Sequence, residues 1–561
     1  MRIPILLAAA IAVVATHSGP ARAETERTLG DLGQVGAVEF PTSCDPAVQE
    51  EFERGVALLH SFFYQEARRV FEGIARKDPE CAMAHWGVAM SYYHPIWAAP
   101  DSAELAAGSA AAKRALAAKK QGERERAYIL SIDAYYEGED SPDAHLSNAA
   151  PSCHGAMAAD NGGRAACFSR GMRDVMVRYE DDVDAAAFYA LSLLATAPPA
   201  DPLLANQMQA AAILEERYAE RQHHPGLAHY LIHSYDYPPT AKKGLAAAEA
   251  YAGIAPWVPH ALHMPSHIFT RLGMWDETIE SNLASAEAAR AYEAEHHPGA
   301  ASSEELHALD YLMYGYLQTA QDEKARALLD RLAAIERTEP VKDFAISFAA
   351  GAMPARYALE RRQWKEAASL TPRSAGNVVL MPTAEGSLVY ARAVGAARLG
   401  DAEEAAAAAS RLGELAAGLE GSRFQYFAEQ MKTQQAAAAA LTEFAEGNRE
   451  SAIAKLRLLA AREDSLGKSP VSPGAILPVR ELLADALLES GQAKAALAEY
   501  EASLVIYPGR FAAIYGAAHA AEAAGLGPQA KVRYEELLSL AKGAAGRQEL
   551  TEAQRYLAAS H

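Results

Sequence analysis

Two stretches near the end of the chain repeat one another at an interval of 34 residues, and that interval limits what the chain can fold into. In 477–510, Gly491 separates two helical patterns, Ala496 and Tyr500 follow on one face, and Pro508 closes the unit. In 511–544 the same places are held by Gly525, Ala530 and Tyr534. A glycine between two segments of 3.6-residue period marks a turn, and residues four apart share a helix face. Two helices and a turn cannot bury their apolar side alone, so such a unit must stack on copies of itself. Weaker copies surround Gly400 with Ala405, Gly447 with Ala452, and Gln363-Trp364 with Ala367, and a first copy fits 48–81 with Gly55, Ala67, Phe71 and Pro79 in register.

A small residue, an aromatic four later and a closing proline resemble the tetratricopeptide-repeat superfamily over most of the chain. The resemblance implies an all-α, right-handed superhelical solenoid, and the alanine-rich composition with few β-branched runs agrees with helix almost throughout. A narrower resemblance covers roughly residues 44–320. LLHSFFYQEA, AMAHWGVAMSYYHPIW, HPGLAHYLIHSYDYP and PHALHMPSHIFTRLG look like a subgroup of exported bacterial tetratricopeptide proteins that share these histidines. No activity attaches to that subgroup.

The expected organisation is a signal peptide over 1–23, N-terminal repeats over 24–137, a loop insertion over 138–170, histidine-rich repeats over 171–340 and C-terminal repeats over 341–561. Arg2, the apolar run Ile3–Ala15 and Ala-Arg-Ala at 21–23 read as a secretory signal cleaved after Ala23, which predicts a periplasmic or secreted protein. No later stretch is long and uncharged enough to span a bilayer. A net charge of −20 argues against nucleic acid and anionic membrane as partners. In an exported chain the four cysteines read as two disulfides, Cys44 with Cys81 and Cys153 with Cys167.

The histidines follow the same period. His229 and His233 are four apart, His263 and His267 are four apart, and the second pair follows the first by 34 at both members. In register these pairs sit at equivalent places on neighbouring helices and face each other. The resemblance places His260, His263 and His267 at the second, fifth and ninth positions of a first helix, which line the concave groove. His229 and His233 take the fifth and ninth positions one unit earlier, and His307, Asp310 and Tyr314 take all three in the next unit. His60 and His94 are also 34 apart.

Two imidazoles four apart on a helix suit chelation, and imidazole suits copper, iron and zinc. The spacing is that of zinc proteases, but Tyr230 and Met264 stand where those carry a glutamate. Substituting Asp310 for one histidine would give the two-His, one-carboxylate set of non-haem iron. Crowding four imidazoles without metal or partners is unfavourable. The sequence thus predicts a transition-metal site of His229, His233, His263 and His267, with His260, His307, Asp310, Tyr314, His60 and His94 as additional or supporting groups. If the chain is an enzyme, a metal-dependent oxidoreductase is favoured over a hydrolase. The rival expectation is a non-enzymatic scaffold whose groove holds a peptide or small molecule.

Overall fold

The chain is built from antiparallel helix pairs laid side by side, and the turn inside each pair shows why the period is so regular. The structure is a computed structural model that describes residues 33–96, 99–137, 161–198, 201–372, 378–468 and 471–559. The expected signal peptide, most of the expected insertion, and Cys153 lie outside these residues.

In eight pairs the residue two places before the second helix adopts a left-handed conformation. It is glycine at Gly273, Gly400, Gly447, Gly491 and Gly525, but Phe62, Ala320 and Arg362 elsewhere. This conformation reverses the chain in three or four residues, and glycine adopts it at least cost. The Gln49–His60 and Tyr64–Lys77 helices form the first expected copy, and Val479–Glu489 with Ala493–Ile506 and Phe511–Ala523 with Gly527–Leu540 form the last two. Ala67, Ala496 and Ala530 are fully buried between their helices.

Consecutive pairs lock through an aromatic ring set against a glycine. A Cβ on Gly87 would lie 2.4 Å from the Phe71 ring, and one on Gly55 2.7 Å. The Phe71 ring is thus clasped between its own unit and the next. Tyr500 packs on Gly516 in the same way, again at 2.4 Å. This explains why the small-residue and aromatic positions recur together. It also makes the fold an all-α solenoid of tetratricopeptide-like units. The named strands among the described residues are Ala300–Ser302 and Arg337–Glu339, a short parallel pair between helices.

The array departs from the sequence expectation in three places. A helix spans Asn161–Arg178 and enters the stretch expected as loop, because Ala165, Phe168, Met172 and Val175 form a buried stripe. The helix carrying His260, His263 and His267 is divided into Pro259–His263 and Pro265–Leu272, since Pro265 has no N–H to continue the ladder. The Pro225–Tyr235 helix connects to its partner through a longer Pro238-Pro239 link that lacks the left-handed turn.

The solenoid also folds back on itself. The Gln49–His60 helix contacts Pro225–Tyr235, and Ser303–Gln318 contacts Phe511–Ala523. Arg356 donates to Gly474 O at 2.9 Å, Ala475 O at 3.2 Å and Ser472 Oγ at 2.9 Å, and Arg271 donates to Pro473 O. Trp275 Nε1 donates to Gly509 O at 2.8 Å. Buried Arg510 bridges Glu360 and Glu481 and reaches the Tyr314 hydroxyl at 3.0 Å. The segment ahead of Val479 is thereby clamped over the helices that carry the histidines. Cys44 and Cys81 form the expected disulfide, tying the entry segment to the second pair.

Candidate metal centre

Six histidines from four helices converge beneath that cover. His229 and His233 come from Pro225–Tyr235, His260 and His263 from Pro259–His263, His267 from Pro265–Leu272 and His307 from Ser303–Gln318. They form two sets: His229, His233 and His260, and His263, His267 and His307. Within each set the three ligand atoms lie within 4.8 Å of one another. Each four-spaced pair stays together, and each gains a third imidazole from the neighbouring helix.

The hydrogen bonds fix which nitrogens are available. His229 Nδ1 lies 2.7 Å from the carbonyl oxygen of His60, which only accepts, so Nδ1 carries the proton and Nε2 is bare. His267 Nδ1 donates to Asp236 Oδ2 at 2.7 Å, a carboxylate that also pairs with Lys468 and Arg271. Asn282 Nδ2 donates to Thr278 O at 2.7 Å, which turns Oδ1 toward His263 Nδ1 at 2.6 Å and makes that nitrogen a donor. The consequence is a conflict. His263 Nε2 and His267 Nε2 are both bare and only 3.0 Å apart. His229 Nε2 faces His260 Nε2 at 3.2 Å, and His260 Nδ1 lies 3.5 Å from the Glu304 carboxylate. His233 Nε2 is buried with no hydrogen-bond partner among the described residues.

Two lone pairs facing at 3 Å repel unless a proton or a cation lies between them. Protonation is opposed by the surroundings. Burial, reinforced by neighbouring imidazoles, holds His229, His267 and His307 well below the ordinary range, and His233 and His263 at about 3. Neutral imidazoles with Nδ1–H anchored on oxygen and Nε2 converging inward are arranged as metal ligands, with outer partners that fix each ring.

Other groups surround the six. The Tyr311 hydroxyl lies 3.4 Å from both ring nitrogens of His267, and its ring meets His263 edge-on. Phe62, 5 % exposed, packs against His229, His233 and His260. Tyr251 stacks on His229. His233 is the one of the six that is partly exposed.

The remaining expected groups lie elsewhere. Asp310 faces away from the imidazoles and pairs with Arg356 at 3.1 Å, so the two-His, one-carboxylate set is not assembled. Tyr314 contacts Arg510 and the 474 backbone instead. His94 packs beside Tyr64 near Glu104. His60 joins through its backbone oxygen alone. Its Nε2–H donates to Asp184 at 2.9 Å and its Nδ1 accepts from Tyr230 O–H at 3.0 Å. His224 donates to the same Asp184 oxygen at 3.3 Å and accepts from Leu227 N–H. His60, Asp184 and His224 are therefore a hydrogen-bonded network in which every imidazole nitrogen is engaged. Cys167 is buried within Asn161–Arg178.

Sequence reasoning missed Asn282, Asp236, Glu304, Tyr311 and Phe62. Tyr311 carries a readable signal, four residues after His307 on the same helix face. Asn282 and Glu304 carry none, because only the packing of separate helices brings them to the rings.

No family model and no curated protein matches this chain. Among solved structures it is similar to the P58(IPK) TPR domain, at 16% identity and a TM-score of 0.21 over 68% of this chain and 99% of that one. It is also similar to the APC/C hetero-tetramer Cut9-Hcn1, at 12% identity and a TM-score of 0.30 over 91% of this chain and 89% of that one. These likenesses concern the helical-repeat fold and carry nothing about the histidines.

Proposed function

We propose that this chain is an exported metalloprotein that holds a transition metal in its buried imidazole cluster and uses it for redox chemistry. What carries the reading is the pair of bare nitrogens at His263 and His267, 3.0 Å apart in surroundings that oppose protonation. A cation between them converts a repulsion into two bonds. Imidazole-only ligation suits copper, with iron and zinc as competitors. A set of three neutral imidazoles with no thiolate or carboxylate suits copper, and copper favours electron transfer or oxidation. The protein's own residues anchor the rings, Phe62 covers the first set, Lys468 closes on Asp236 beside His267, and the partly exposed His233 is the proposed approach. A small molecule or peptide end reaches the cluster there, whereas a long peptide lying across the histidines would have to displace the chain's own cover.

The test is elemental analysis of full-length protein after exposure to copper, iron and zinc in turn, beside a His263→Ala/His267→Ala variant of unchanged helicity. Retained metal in the wild type, diminished in the variant, is expected. Absence of stoichiometric metal in the wild type under every condition would refute the reading.

A further inference from the structure

Resting on that reading, we propose that the cluster is dinuclear, with one copper ion in each set of three imidazoles. A metal–nitrogen bond is about 2 Å, so two nitrogens on one ion stand no more than about 4 Å apart. Each set of three meets that reach with small ring adjustments, since its donors fall within 4.8 Å. The six donors separate into two such sets, and each closely facing Nε2 pair lies within one of them: His229 with His260, and His263 with His267. In the second set the conflict is fixed by Asn282 and Asp236, which hold the protons of His263 and His267 on Nδ1. In the first set His229 Nε2 meets His260 Nε2 and the buried His233 Nε2 has no partner among the described residues, so an ion in the second set leaves that nitrogen unmet. The sets adjoin, with rings of His233 and His267 centred 6.1 Å apart and those of His260 and His263 6.2 Å apart. Ions in both would be near neighbours.

Charge selects the metal. All six donors are imidazoles, which bind a metal as neutral ligands, and the buried counter-charge nearby is small. Asp236 is already matched by Lys468 and Arg271, which leaves Glu304 beside His260. Two divalent ions would bring four positive charges into this pocket, whereas two cuprous ions bring two. Three neutral nitrogens also satisfy the low coordination number that a filled d shell accepts, and copper heads the affinity order for nitrogen sites. The centre therefore rests as a cuprous pair.

The experiment is anaerobic titration of the full-length protein with cuprous ion against a chromogenic chelator, for wild type, His307→Ala and His260→Ala. The expected result is two equivalents in the wild type and one in each variant. A second readout uses the same three proteins after their bound copper is oxidised with ferricyanide. Two adjacent cupric ions couple, so the paramagnetic resonance intensity should fall well below two spins per chain, while each single-set variant gives close to one full spin. One equivalent in the wild type, carrying one full spin, would overturn the dinuclear assignment and leave metal binding intact. Two uncoupled spins, or loss of both ions from either variant, would equally overturn it. No binding at all would defeat the underlying reading. Displacement of copper by equimolar zinc would overturn the choice of metal.

Discussion

Asn282 offers a sharp test, because it touches no metal and yet determines whether His263 can bind one. Its amide is oriented by Thr278, and its Oδ1 holds the proton of His263 on Nδ1. In Asn282→Ala that acceptor is lost. The His263 proton can then move to Nε2 and donate to His267 Nε2, 3.0 Å away, which removes both lone pairs from the site at once. The metal-free protein loses one hydrogen bond and gains another, so its stability should fall by no more than about 1 kcal/mol. Metal must now break that new bond and restore the other tautomer. Outer-sphere losses of this kind weaken binding about 10–100-fold, or roughly 1.4–2.7 kcal/mol. Asn282→Asp keeps an acceptor for Nδ1–H and should retain wild-type affinity or better. Chelator competition gives the affinities and denaturant unfolding of the metal-free proteins gives the stabilities. Unchanged affinity in the alanine variant, or equal loss in the aspartate variant, would refute the tautomer argument.

Glu463 is buried, accepts from Val479 N–H, and has its carboxyl pushed up to about 8, chiefly by burial. The folded state thus holds a proton that the unfolded chain releases above about pH 4.5, so stability should fall as pH rises from 4.5 to 8, by an amount of the order of 4 kcal/mol. Glu463→Gln should match wild type at pH 4.5 and exceed it at pH 8.5 in denaturant unfolding, and parallel curves would refute this. Phe62→Gly relieves a left-handed backbone worth about 1 kcal/mol but removes a buried ring worth about 3–5 kcal/mol, for a net loss of about 2–4 kcal/mol. It should also speed removal of bound metal by a chelator at least about tenfold, because the ring covers the first set, and an unchanged rate would show that Phe62 does not shield it. Tyr311→Phe should leave metal stoichiometry intact while altering the optical spectrum of the oxidised site, and loss of metal would assign the hydroxyl a ligand's role instead.

The repeat was legible because each unit needs its turn and its small-to-aromatic contact, and Gly491, Ala496, Tyr500 and Gly516 satisfy those needs locally. The pairing of His229 with His233 and of His263 with His267 was legible for the same reason, but the expected single set of four was not: packing gives each pair its own third imidazole, His260 or His307. What escaped depends on rotation and distance. Asp310 and Tyr311 differ by 100° around one helix, and choosing between them requires knowing how that helix seats on its neighbour, where Gly315 meets Ile279. The partner that captures Asp310 is Arg356, and the cover over the histidines arrives from around residue 473, with no local trace in either stretch. Phe62 escaped because the turn there is marked by glycine in other units. The break at Pro265 stood in plain view, but periodicity alone runs through it.

The returning cover has a consequence in time. Chain elongation proceeds at roughly 5–20 residues per second, and domains generally assemble from the N-terminus. Tyr311 completes the surroundings of the histidines, and Lys468, the first clamped residue of the cover, follows 157 positions later. During synthesis the histidine-bearing helices are therefore complete about 8–30 s before Lys468 is added. That interval is an occasion for acquiring an ion before Lys468 pairs with Asp236 beside His267. The distance along the chain from Tyr311 to Lys468 sets how long it lasts.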